Sequence, residues 1–157
     1  MTLEEKHARI EENAACGFTE IDYVLNQGSI ENREFDANER EMTTIADFCR
    51  AHGITDKVIV EMCKLDGDDA AKRRVCEIAL EAKPGFLKTS TGRSFGGAKL
   101  EAVRLMHEVL GDAVAIKAAG GIHNYEEACA FIEAGASALG ASAGIAIVEG
   151  APTDERR

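Results

Sequence analysis

Two lysines stand where lysine is costly. Lys88 ends the apolar run Gly85-Phe86-Leu87, Lys117 ends Ala113-Val114-Ala115-Ile116, and each is followed at once by a turn of small residues. An ammonium at the end of a buried strand needs a reason. The bland one is that each long stem carries its charge out to water; two such lysines in matching positions, 29 residues apart, favour chemistry instead. A lysine attacks a carbonyl only as the free amine, and a reference pKa near 10.4 leaves little of that form at pH 7. A second ammonium about 4 Å away disfavours the proton by roughly 4 kcal/mol at an effective dielectric near 20. Lys117 beside Lys88 on an adjacent strand end is therefore expected to free a nucleophilic amine able to form a Schiff base.

Asp22 lies inside the β-rich run Thr19 to Leu25, where a carboxylate needs a partner. Strand alternation puts Glu20, Asp22 and Val24 on one face; a solvated edge strand explains this, and so does a proton carrier for the amine chemistry. The turns Thr91-Gly92, Gly120-Gly121 and Ser142-Ala143-Gly144 offer backbone N–H donors, hydroxyls and close approach, which suits a phosphate. Arg93 adds charge or is simply a surface residue. Glu61, in Val58-Ile59-Val60-Glu61, either lines the site or pairs with a lysine. His7, His52, His107 and His123 show no metal-ligand spacing, so no metal is expected.

The chain has 157 residues, of which 45% are apolar and 29% charged, as in a globular protein. A formal net charge of −10 disfavours nonspecific binding to nucleic acid or an anionic membrane, so a phosphate ligand must be held by local geometry. No apolar run approaches the roughly 20 residues of a membrane span, and the start of the chain lacks the apolar core of a secretory signal; the expected location is the cytoplasm. The five cysteines show no C-x-x-C spacing and are expected as free, mostly buried thiols.

These residues need a scaffold, and the pattern supplies one. Thr2-Leu3-Glu4-Glu5 is a capping box opening a helix that Gly17 stops. Strands are expected over Thr19 to Leu25, Lys57 to Cys63, Gly85 to Lys88, Ala113 to Lys117 and Ala138 to Ser142. Helices are expected between them: one after an acidic cap at Asp36, one starting at Asp68/Asp69, one over Leu100 to Leu110, and one over Tyr125 to Glu133 capped by Asn124. Residues 26–35 read as a loop. Residues 1–150 form a single domain and the polar tail 151–157 is expected to fray. Alternation of this kind demands a parallel sheet with right-handed crossovers, and nearly continuous apolar strands suggest that both faces are covered. An open doubly wound sheet and part of a (βα)₈ barrel both fit: a dinucleotide-binding sheet would carry G-x-G-x-x-G after its first strand, and none is present, while a barrel needs eight units in about 250 residues and only five strands are visible.

Taken in order, Glu20-Ile21-Asp22-Tyr23-Val24-Leu25-Asn26, Lys57-Val58-Ile59-Val60-Glu61, Gly85-Phe86-Leu87-Lys88-Thr89-Ser90-Thr91-Gly92, Ala115-Ile116-Lys117-Ala118-Ala119-Gly120-Gly121-Ile122 and Leu139-Gly140-Ala141-Ser142-Ala143-Gly144 resemble the class I deoxyribose-phosphate aldolase family. The resemblance runs from the first helix to about Val148. It implies a TIM-type parallel (βα) barrel that is incomplete here, with five of eight strands, and a lyase that cleaves 2-deoxyribose 5-phosphate to glyceraldehyde 3-phosphate and acetaldehyde without cofactor. By the same resemblance Lys88 is the Schiff-base lysine, Lys117 its perturbing neighbour and Asp22 the proton relay. Gly92, Gly120, Gly121 and Ser142 fall where the family holds the phosphate. Family members carry three further strands before the one at Thr19. The open edges then call for a homo-oligomer or for the missing strands. The alternative is a non-catalytic sugar-phosphate-binding or assembly module descended from such an enzyme.

Overall fold

The computed structural model describes residues 1–93 and 96–152. Helix α1 (Leu3–Ala15) leads into β1 (Glu20–Val24), the short α2 (Gln27–Glu31), α3 (Phe35–Ala51) and β2 (Thr55–Ile59). A 3-10 turn (Met62–Leu65), α4 (Asp69–Ala82), β3 (Phe86–Lys88), α5 (Leu100–Leu110) and β4 (Ala115–Ala119) follow. The chain then forms α6 (Tyr125–Glu133), β5 (Ala138–Gly140) and α7 (Gly144–Glu149). Helix starts obey their caps: Thr2 completes the box with Glu5, Asp68 accepts from the Ala71 amide, and Asn124 accepts from that of Glu127.

All five strands are parallel, and their order in space is their order in the chain, β1-β2-β3-β4-β5. A doubly wound sheet reverses direction partway; this one never does. Right-handed crossovers between strands that step steadily one way place the helices on one face, as in the wall of a barrel. That face carries the core. Val58, Leu87 and Ile116 lie buried with Met42 and Ile45 of α3, Val75 and Ile78 of α4, and Val103 and Met106 of α5. The other face is not covered by helices as the apolar runs suggest. Side chains alternate across each strand, so half of each run points inward, and there stand Glu20, Asp22, Lys57, Lys88 and Lys117 rather than a second apolar layer.

Several local expectations shift. The second strand begins at Thr55, two residues early, and gives way to the 3-10 turn before Cys63. Residues 26–35 contain α2, whose N-terminus Asn26 caps by accepting from the Gly28 and Ser29 amides. Helix α3 starts at Phe35 with Asp36 in its first turn rather than at its cap. Helix α7 follows Ser142, in an Ala- and Gly-rich stretch with little helical punctuation. All five cysteines are free, but only Cys49 and Cys76 are buried; burial pushes their thiols up to about 11 and about 12. The expected frayed tail is described only through Pro152, and residues 153–157 lie outside the described residues. Among the described residues no helix is long and apolar enough to cross a membrane.

Candidate active site

Register builds the site. Asp22 pairs with Lys57 across β1 and β2, Ile59 with Lys88 across β2 and β3, and Lys88 with Lys117 across β3 and β4. Partners in register point to the same side of a sheet, so three lysines and Asp22 converge on the face away from the helices. Asp22 is their hub: its Oδ2 accepts from Lys88 Nζ at 2.7 Å and from Lys117 Nζ at 3.4 Å, and its Oδ1 lies 3.6 Å from Lys57 Nζ. Glu20 binds Lys57 Nζ at 2.6 Å. Two ammoniums on one oxygen stand no more than about 6 Å apart, where like charges repel by about 3 kcal/mol at an effective dielectric near 20.

Charge counting sharpens this. Three lysines face two carboxylates, Glu20 and Asp22. With every group ionised the cluster keeps one positive charge in excess, and loss of a single lysine proton neutralises it. Burial alone raises the Asp22 carboxyl, but the hydrogen bond and charge of Lys88, followed by those of Lys117, more than reverse this and hold it below its ordinary value.

Beside the lysines lies a cavity of about 390 Å³. Lys88, Lys117, Gly92, Gly120, Gly121 and Ser142 all line it, with Thr91, Arg93 and His123. The structure thus brings both predicted lysines and all four predicted phosphate-site residues to one cavity, with Asp22 behind the lysines. A larger cavity of about 550 Å³ lies at the opposite end of the sheet among Phe18, Thr19, Phe48 and Ile54, away from the lysines. Size is therefore no guide to the chemistry here.

The two glycine turns meet main chain to main chain. Gly120 has φ +80°, and a Cβ placed there would lie 2.6 Å from Gly92 Cα, closer than any side chain tolerates. Its N–H donates to the Gly140 carbonyl at 2.9 Å, so what Gly120 supplies is close approach rather than a free donor. Strands β3 and β4 are stitched below this contact: the Ala119 amide donates to Thr89 Oγ1 at 3.1 Å, and Ser90 Oγ donates to the Ala119 carbonyl at 2.5 Å.

One participant, Lys57, escapes the sequence reading of the site, and another, Glu61, stands otherwise than either reading of it. Lys57 reads as the first residue of a strand, yet it is buried and tied to both carboxylates; the signal was its like parity with Ile59, and using it required the β1–β2 register. Glu61 neither lines the cavity nor takes a lysine as its hydrogen-bond partner. Only 1% exposed, it accepts from the Thr91 amide at 2.7 Å through Oε1, with Cys63 Sγ at 3.8 Å from Oε2. Its φ of 60° and ψ of 61° are left-handed, which costs a non-glycine residue about 1–3 kcal/mol.

A scan against protein-family models found no match. Comparison with known proteins did. The chain is 46% identical over 149 residues to the deoxyribose-phosphate aldolase of Caldanaerobacter subterraneus subsp. tengcongensis, covering 94% of this chain and 64% of that protein. It is 40% identical over 148 residues to the enzyme of the same name from Clostridium tetani, covering 94% and 67%. Among solved structures, the tetrameric deoxyribose phosphate aldolase from Aeropyrum pernix superposes with a TM-score of 0.82 at 26% identity, covering 95% of this chain and 62% of that one. The chain spans 60–64% of the length of the first curated relatives it matches.

Proposed function

Starting from the premise that the chain belongs to the deoxyribose-phosphate aldolase family, we propose that it cleaves 2-deoxyribose 5-phosphate to glyceraldehyde 3-phosphate and acetaldehyde through a Schiff base on Lys88. The observation that carries this is the single Asp22 oxygen shared by Lys88 and Lys117 beside a glycine-lined cavity. Lys88, as the free amine, attacks the substrate aldehyde. Loss of water gives the iminium. A base then takes the proton of the C3 hydroxyl, the C2–C3 bond breaks, and its electrons flow into the iminium as an enamine, releasing glyceraldehyde 3-phosphate. Protonation of the enamine at C2 and addition of water return acetaldehyde and free Lys88. Asp22, in hydrogen-bond contact with both lysines, carries these protons directly or through water. Gly92, Gly121 and Ser142, with the close approach at Gly120, hold the phosphate. The reaction as proposed needs no cofactor.

The Aeropyrum relative is a tetramer, and self-association is proposed for this chain too. β1 and β5 end the sheet, and Ile145 and Val148 of α7 are largely exposed. The same open edges favour a second reading, a sugar-phosphate-binding module without turnover. Borohydride trapping with deoxyribose 5-phosphate separates the two. A reduced adduct mapped to Lys88 supports the aldolase; a folded protein that traps nothing, or traps elsewhere, overturns it.

A further inference from the structure

We propose that Glu61 is a positioning residue, holding the Thr91-Gly92 turn in the orientation that binds the substrate's phosphate. This rests on the reading of the glycine-lined cavity as the phosphate end of the site.

Three observations meet at Glu61. Its backbone is left-handed, a conformation a glutamate adopts only where surrounding structure enforces it. Its carboxylate is almost fully buried, where a charge demands strong partners. The partner it takes is the main-chain amide of Thr91, at 2.7 Å, in a loop 30 residues downstream. A hydrogen bond from an amide to a carboxylate is among the stronger kinds. With the peptide planar and trans, aiming the Thr91 N–H at Glu61 turns the preceding carbonyl of Ser90 the opposite way. One contact thereby sets the rotation of the plane that enters the turn.

The rest of the turn is held from the other side. Gly92 abuts Gly120 through main-chain atoms, and the Arg93 amide reaches Thr91 Oγ1 at 3.4 Å. Thr91 and Gly92 line the cavity directly; Glu61 stands behind them and does not. Its negative charge opposes an anion, so its contribution must be geometric: an oxygen acceptor at one place. An uncharged acceptor of the same shape should serve equally well.

The test compares Glu61→Gly, which accepts the left-handed backbone and deletes the acceptor, with Glu61→Gln, which keeps an oxygen there. Inorganic phosphate is titrated into each folded protein and followed by the amide resonances of Thr91 and Gly92. Glu61→Gly is expected to weaken phosphate binding about tenfold, from the loss of one charge-assisted hydrogen bond. Glu61→Gln is expected to bind at or above the wild-type level. Wild-type affinity in Glu61→Gly, whatever its melting temperature, overturns the proposal, as does an equal loss in both variants or a wild-type protein that binds no phosphate. Glu61-dependent phosphate binding in a chain that traps no Schiff base upholds this inference and removes only the aldolase reading.

Discussion

The two faces of the same strands follow opposite rules. Toward the helices β1, β3 and β4 present Ile21, Tyr23, Leu87 and Ile116, all buried; toward the other side they present Asp22, Lys88 and Lys117, partly open and linked by charge. Leu87 and Lys88 are neighbours in the chain and belong to different economies, one of packing and one of protons. Polarity on the helical face is met only in part by structural partners: Asp56 accepts from the Gly85 amide through Oδ1, and Glu41 binds Lys6 of α1 and the Asn26 amide, while Asp56 Oδ2 and the Tyr23 hydroxyl lie buried without a hydrogen-bond partner among the described residues. On the inner face the charges hold one another. The comparison teaches that stability and chemistry are separable by strand parity.

The largest expected effect tests that separation directly. Lys88→Met is expected to abolish borohydride trapping and turnover while the melting temperature stays within a few degrees, about the range of a 1 kcal/mol change; a large fall in melting temperature would show that the inner charges also hold the fold. Next comes Leu87→Ala, expected to cost about 2–5 kcal/mol of stability as a large-to-small core change, read by denaturant titration. Adduct formation at a temperature where the variant remains folded should persist. Gly120→Ala is expected to weaken inorganic phosphate binding, because the added methyl pushes the two turns apart at a backbone angle that alanine rarely adopts.

The smallest effect separates the faces by sign of pH dependence. The Asp22 carboxyl lies below its ordinary 3.8, so its contribution to stability is present above about pH 3.8 and is lost as the pH falls through its lowered folded value. Asp56 runs the other way. Burial raises it, outweighing the Gly85 hydrogen bond, so its contribution is fully present below about pH 3.8 and is lost as the pH rises through its raised folded value. Asp22→Asn should therefore destabilise at neutral pH and converge on the wild type in acid, whereas Asp56→Asn should stabilise at neutral pH and converge likewise. Melting temperatures measured from pH 3 to 7 check both signs.

What could be read from the sequence was whatever is encoded locally. The caps at Thr2, Asp68 and Asn124, the bounds of α5 and α6, and the lysines ending apolar strands are legible within a few residues of themselves. Asp22 was legible as a carboxylate with no local partner. Its grouping with Lys88 and Lys117 came from the chemistry and the family resemblance, whereas the contacts themselves were not legible, because Asp22 meets both lysines only after distant stretches align in register. Lys57 escaped for the same reason, and Glu61, named as lining the site or pairing with a lysine, takes neither place because its partner is the Thr91 amide 30 residues on. Helices α2 and α7, five and six residues long, were missed because so few residues cannot display helical periodicity.

The Gly92–Gly120 contact bears on how such a site can change. Where side chains meet, a pocket can be widened or narrowed one substitution at a time, and selection has a continuous dial. Here main chain rests on main chain, and no smaller residue remains to be substituted. The proposed phosphate end is in that sense closed to gradual tuning where the two glycines meet, and changes in what the cavity accepts must arise at side chains elsewhere on its rim, such as Ile122, His123 and Ala141.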